Sequence, residues 1–466
     1  MFDRTDSVAA PAAHEASGSA SRQQPSTSAL RRSGRAQRRV AGSRSAAGYV
    51  IVAAVIASGC AANPSLVTAA SSTVGSSVGV SAHGTAVAVA SPPSTATASP
   101  TSTPASLPAT LPQAALAPTQ VNVYEFAGTG ALSPAVAGTR QLVYVPSPAA
   151  KGPGTVDVID QTTIKVIDRF VAGPVAQHVV PSWDLKTLYV NASAANQLVP
   201  IDPTTGKPGR PIPIERPYNL YFTPDGSRAV VQNEQHDRLD YYDPHTWQKL
   251  KSVPSTCKGN NHADWSADGA YFLVTCEFSG ELLKVDTATG DIIAKISLAA
   301  GAMPQDVRLV PDGSKFYVAD MMHDRVWIID GDRLAVTGSI RTGVGAHGIY
   351  PSRDGTRLYV ANRGRHRNDE RRRSRPGDGS VSVLDPATDT VTATWTIPGG
   401  GSPDMGGVSA DGSRLWLSGR YDGEVYVFDT TTGQLAGRIK TSAEPHGLLV
   451  WPQPGRYSLG HTGNTR

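Results

Sequence analysis

Histidine is the side chain in this sequence best suited to chemistry, and four of its eleven copies recur in like settings: Gln177-His178, Asn261-His262, Ala346-His347 and Pro445-His446. Tyr218-Asn219, Gln305-Asp306 and Asp404-Met405 fill the corresponding places between them. Imidazoles coordinate transition metals and move protons near neutral pH. His178, Asn219, His262, Asp306, His347, Asp404 and His446, together with His323, therefore form a candidate ligand-binding set. The competing reading is structural: a short polar residue before an inner glycine, as in His347-Gly348 and His446-Gly447, hydrogen-bonds a turn. No HExxH, nucleophile elbow, phosphate loop or paired-carboxylate motif names a reaction. From motifs we expect no catalytic residue, no metal and no cofactor, and binding is favoured over catalysis.

Two further groups carry possible chemistry. Three cysteines are too few for a disulfide scaffold, and Cys60, Cys257 and Cys276 match no zinc spacing. Cys257 and Cys276 fall at the same edge of two antiparallel strands, which predicts a disulfide; the rival is a copper thiolate with His262 and Met303. Residues 363–379, RGRHRNDERRRSRPGDG, hold seven Arg against three acids. That segment is too polar to bury a core. It is either a solvated loop or a polyanion site formed by Arg363, Arg365, Arg367, Arg371, Arg372, Arg373 and Arg375, since guanidinium groups bind phosphate well.

What must position these residues is a repeat. An apolar strand ending in Asp recurs as VDVID, LVPID, LDYYD, LLKVD, VWIID, VSVLD and VYVFD, with terminal Asp160, Asp202, Asp243, Asp286, Asp330, Asp385 and Asp429 at intervals of 42, 41, 43, 44, 55 and 44. Periods near 40 to 45 with several short strands each mark propeller blades. A second strand (TLYV, KFYV, RLYV) lies upstream of each Asp, and Asp-Gly pairs precede it at Asp225, Asp268, Asp312, Asp354 and Asp411. Asp-Gly suits tight turns because both residues tolerate positive φ. The expected fold is all-β: a seven-bladed β-propeller of four-stranded antiparallel blades, strands A to D from the axis outward, preceded by a disordered N-terminal region. Residues 446–451, HGLLVW, follow the seventh blade and should supply strand A of blade one beside residues 141–146. Residues 121–134 then either pack outside the ring or replace that strand. The D-to-A and B-to-C loops share one face, so seven histidines, with His236, His323 and His366 added to the first four, gather at the channel mouth.

The LYVAN-like strand, the strand ending in Asp and the G-x-x-P-x-G-type loop resemble the YVTN (YncE-like) β-propeller repeat family over about residues 140 to 451. The resemblance implies the fold. It leaves function open, because that family and its relatives include surface-layer proteins, nucleic-acid binders, lactonase-like enzymes and haem-carrying propellers.

Ahead of the repeats the composition changes twice. Residues 1–48 hold eight Arg and three acids, whereas residues 61–118 hold no charged side chain. The apolar run 46–57, AAGYVIVAAVIA, is shorter than the roughly 20 residues a bilayer span needs and reads as a signal-peptide core. Ser58-Gly59-Cys60 follows and resembles a bacterial lipobox, which implies lipidation at Cys60; a short uncleaved anchor or ordinary cleavage nearby is the alternative. The Ser/Thr/Ala/Pro-rich stretch has too little apolar area to fold; extended, it would reach on the order of 180 Å. We thus divide the chain into a basic tail and lipobox-like segment (1–60), a disordered stalk (61–118), the propeller (119–455) and a C-terminal tail (456–466). The placement is extracytoplasmic, at the outer face of the cytoplasmic membrane or in the wall. Three functions fit: a binding or scaffold module meeting a protein or envelope component through the channel-mouth face, a lactonase-like or metal- or haem-assisted enzyme using the histidines, and a binder of an anionic polymer. Nucleic acid is not an expected partner, because the basic character sits in the tail.

Overall fold

The computed structural model describes residues 122–149, 152–365 and 378–466. The basic tail, Cys60, the stalk and the arginines from Arg367 to Arg375 lie outside the described residues.

Seven antiparallel sheets form a seven-bladed propeller. Middle strands such as Phe316–Asp320 and Leu358–Asn362 are buried at every position, because blades cover them on both faces. The outermost strand Lys165–Val171 instead alternates exposed and half-buried residues. That contrast is why the inner strands read as continuous apolar runs and the outer ones as alternating sequence.

The turns use Asp differently from the expectation. At the Asp-Gly turns between strands A and B only the glycine takes positive φ, as at Gly313 (74°), while Leu185 (63°) takes that place in blade two. Asp312 keeps ordinary φ, and its carboxylate accepts the Ser314 N–H and hydroxyl at 3.0 and 2.7 Å. The strand-ending aspartates work likewise. Asp286 accepts the Thr289 N–H at 2.7 Å and Asp429 the Thr432 N–H at 2.9 Å, capping the C-to-D turn.

Ring closure follows the expected route. Leu449–Trp451 is the inner strand of blade one and pairs Leu142 with Trp451, Val143 with Val450 and Tyr144 with Leu449. Of the two options for the segment before blade one, packing outside the ring is the one observed. Val123 donates its N–H to Pro311 O at 2.7 Å and the Tyr124 hydroxyl donates to Leu309 O at 2.9 Å, on the face of the A-to-B turns.

Residues 456–466, set apart in sequence as a tail, turn back into the channel. Ser458–Gly460 lies against the inner strand of blade three, with Gly460 opposite Tyr221, and Asn464–Thr465 returns beside it. Asp264 receives the end of this hairpin, accepting from Asn464 Nδ2 at 2.9 Å and Arg466 Nη2 at 2.8 Å. The polar side chains are buried because they satisfy one another there.

Trp451 is fully buried in the closing strand. Trp451→Ala should cost about 3–5 kcal/mol, read as a lowered urea midpoint. Val171→Ala, at a position 62% exposed, should stay within about 0.5 kcal/mol. Equal midpoints for the two variants would show that closure does not limit stability.

Candidate metal centre on the propeller axis

The same irregularity aims side chains at the axis in five blades. Pairing between strands A and B breaks between Ala176 and Val179, Asn260 and Ala263, Pro304 and Val307, Ala346 and Ile349, and Pro403 and Gly406. His178, His262, Asp306, His347 and Asp404 all lie within these breaks. An interrupted ladder bends the strand and re-aims its side chains. It also frees N–H groups, which the neighbouring blade accepts. Ala263 donates to the Tyr221 hydroxyl (2.8 Å), Ile349 to Asp306 Oδ2 (2.9 Å) and Gly406 to the Tyr350 hydroxyl (2.6 Å). Residues lining the axis thus also join the blades.

Five imidazoles meet on the axis: His178, His262, His347, His446 and His461 from the returning tail. Ring centroids lie 4.5 Å apart for His262 and His461, 4.9 Å for His178 and His446, and 5.4 Å for His178 with either His262 or His461. None of the five is more than 3% exposed. His178 fits only because residue 447 is glycine, since a Cβ there would stand 2.0 Å from its Nδ1.

Two carboxylates organise the cluster. Asp306 Oδ1 lies 3.3 Å from His461 Nε2, and Arg308 approaches the other oxygen at 3.5 Å. Asn219 Nδ2 donates to His461 Nδ1 at 2.9 Å, which leaves the His461 proton on Nε2, facing Asp306. Both ring nitrogens of His178 and of His262, and Asp306 Oδ1, are buried without a hydrogen-bond partner. One donor atom each from His262, Asp306 and His461 lie within 4.8 Å of one another. Burial alone would raise the Asp306 pKa, but Arg308 and His461 outweigh it and hold the carboxyl below the usual range.

Asp404 gathers the other group. It accepts from Arg363 Nε at 2.6 Å and His446 Nδ1 at 2.7 Å, and lies 3.2 Å from His347 Nδ1. Arg363 Nη2 also donates to His347 Nε2 at 2.8 Å, so its guanidinium caps the channel. With Nδ1 bonded to Asp404, His446 keeps Nε2 as a lone pair. A carboxylate behind an imidazole is the arrangement that orients metal-ligating histidines.

Of the residues singled out in sequence, His178, Asn219, His262, Asp306, His347, Asp404 and His446 converge here. His323 does not: it pairs with Asp320 at 2.7 Å in the B-to-C loop of blade five. Arg363 and Arg365 are buried, Arg365 with its guanidinium 4.5 Å from the Tyr421 ring. Cys257 and Cys276 form a disulfide near His262 in sequence. Sequence reasoning missed His461, Arg308 and Met405 as site residues. His461 follows the last repeat and carries no periodic signal. Met405 stood beside Asp404 in its loop dipeptide, and its sulfur lies 3.0 Å from His347 Nδ1.

A family model described as a YNCE-like beta-propeller matches residues 149–455. No curated protein matches. Among solved structures, a functionally unknown protein from Desulfotomaculum acetoxidans shares 15% identity at a TM-score of 0.52, with 66% of this chain and 98% of that one covered. A Bacteroides uniformis protein described provisionally as a 6-phosphogluconolactonase gives 16%, 0.52, 66% and 98%. The dihydro-heme d1 dehydrogenase NirN gives 14%, 0.49, 72% and 83%. At such identities the likeness is one of fold.

Burial keeps the imidazoles neutral. It pushes His446 down to about 4, and with neighbouring histidines it lowers His178 and His262 well below their ordinary value; His347 is lowered by burial and Arg363. In the unfolded chain these groups protonate below about pH 6.5. Stability should thus be flat above that pH and fall as pH drops from 6.5 towards 4, by about 1.4 kcal/mol per pH unit for each histidine. Asp306 and Asp404, with lowered pKa values, add their loss only below the ordinary carboxylate range. Urea midpoints from pH 8 to 4.5 test this. A flat profile would contradict a neutral histidine core.

Proposed function

The chain belongs to the YNCE-like β-propeller family, and from that premise we propose that it is an exported metal-binding propeller, holding one transition-metal ion on its axis among His178, His262, His461 and Asp306. The observation that carries this reading is the convergence of these donors, with both nitrogens of His178 and of His262, His461 Nε2 and Asp306 Oδ1 buried and without a hydrogen-bond partner. A buried polar atom without a partner calls for an explanation, and a cation supplies it. Imidazole with carboxylate suits zinc, copper, iron or nickel. Bonds of about 2.0–2.2 Å place donor atoms roughly 3.3 Å apart, so the trio now within 4.8 Å closes by a modest inward movement. Asn219, on the far side of His461, fixes that ring; for Nε2 to bind the ion its proton must leave, Nδ1 must take one up, and the Asn219 amide must turn its oxygen to receive it.

Asp264, Asp306 and Asp404 face Arg308, Arg363 and Arg466, all buried, and the histidines are neutral. Arg308 approaches Oδ2 of Asp306 at 3.5 Å, which leaves Oδ1, 3.3 Å from His461 Nε2, on the side of the proposed ion. With histidines at most 3% exposed, the site suits a held ion better than turnover of an organic substrate. Export rests on the apolar run 46–57 and on the lipobox-like Ser58-Gly59-Cys60 that follows it. The chain enters the ring at Val123, on the face of the A-to-B turns.

Full-length protein purified without chelators should carry about one transition-metal ion per chain by elemental analysis, and stripped protein should rebind it. Asn219→Ala should lower affinity about 10- to 100-fold, as loss of an orienting contact does, and His262→Ala or His461→Ala by more. Failure of stripped protein to bind copper, zinc, cobalt and nickel would overturn the proposal. So would metal binding that survives loss of both His262 and His461.

A further inference from the structure

Methionine is scarce in this chain, with five copies, and four of them, Met303, Met321, Met322 and Met405, stand at the same end of blades five and seven as the histidines. The Asp320 carboxylate builds the outer part of this group. It accepts the Met303 N–H at 3.0 Å and the Met322 N–H at 3.1 Å on one oxygen, and on the other His323 Nδ1 at 2.7 Å and Trp327 Nε1 at 2.9 Å. Met321 donates its N–H to Met303 O at 3.1 Å. Inward from this loop, a guanidinium and an imidazole stand between two sulfurs. Met321 Sδ lies 3.4 Å from Arg363 Nη1, Arg363 Nη2 lies 2.8 Å from His347 Nε2, and His347 Nδ1 lies 3.0 Å from Met405 Sδ. His347 then neighbours His446 and His262, at 5.9 and 6.2 Å between centroids.

Methionine in a core usually fills apolar gaps. Met321 and Met405 are fully buried, yet their sulfurs face a guanidinium and an imidazole. Thioethers are soft donors that select Cu(I), while zinc and harder cations gain little from them. We propose that the axial ion is copper, received as Cu(I) at the Met303–Met321–Met322–His323 loop and passed inward by Met405 and His347. This inference rests on the axial site holding a metal at all. Arg363 stands across the route, bonded to Asp404 and His347, and must swing aside for the ion to pass.

Stripped full-length protein would be titrated under argon with Cu(I), supplied as its acetonitrile complex, against a coloured Cu(I) chelator. Ag(I) serves as a redox-inert probe and Zn(II) as the harder one. Leucine keeps the apolar volume of methionine. Met405→Leu should slow Cu(I) and Ag(I) uptake at least about tenfold and leave the rate for Zn(II) within about twofold. The triple variant Met303→Leu, Met321→Leu, Met322→Leu should slow Cu(I) uptake about tenfold with unchanged final stoichiometry, and Arg363→Ala should speed it. A wild-type melting profile for each variant excludes unfolding as the cause. Leucine variants that take up Cu(I) at wild-type rate would overturn the inference, as would a protein that binds Zn(II) but neither Cu(I) nor Ag(I), in which case the axial site itself stands. Binding of none of the three ions would overturn both.

Discussion

Three residue pairs, Leu142 with Trp451, Val143 with Val450 and Tyr144 with Leu449, join the two ends of the ring, and the axial cluster depends on them. Closure by the C-terminal strand does more than seal a sheet edge. It sets His446 opposite Asp404 and brings Gly447 alongside His178. It also delivers the following residues to the face of the A-to-B turns, from which the hairpin enters the channel. Without that strand two of the five imidazoles would have no fixed position.

Burying so many polar groups on one axis is costly unless each is matched. Much of the matching runs between blades rather than within them. Tyr221, Asp306 and Tyr350 accept N–H groups that the interrupted inner strand of the next blade sets free. The carboxylates are set against guanidinium groups, and the histidines remain neutral because burial disfavours their charged form. Unmatched buried side-chain atoms occur in several blades, but on the axis both ring nitrogens of His178 and of His262, His461 Nε2 and Asp306 Oδ1 are left without a partner together. What marks the axis as a candidate site is that donor atoms of His262, Asp306 and His461 among them converge within 4.8 Å.

Repetition made the architecture legible. The spacing from Asp160 to Asp429 marked the blades, and because His178, His262, His347 and His446 hold like places in successive units, a common face could be assigned to them. The competing idea, that such histidines only bond their own turns, is not what His347 and His446 do: both reach Asp404 on another blade. Two residues resisted reading for different reasons. Arg363 looked like the first of a run of solvated arginines, since composition cannot show that its guanidinium turns inward. His461 lay in a segment too polar to suggest burial, and its partners Asn219 and Asp306 are more than a hundred residues away.

The sequence by itself determined the periodic part of this protein: seven units, their strands and turns, and which loops share a face, because strand pairing and turn chemistry are local and repeat with the chain. Tertiary structure alone decided whether the imidazoles splay around an open channel or converge. That outcome depends on the interrupted ladders of five inner strands and on a returning C-terminal segment that fills the axis. Both are long-range arrangements, in which the partner of each donor comes from another blade. No window of sequence holds both members of such a pair, and so the chemistry of the axis could be seen only once the ring had closed.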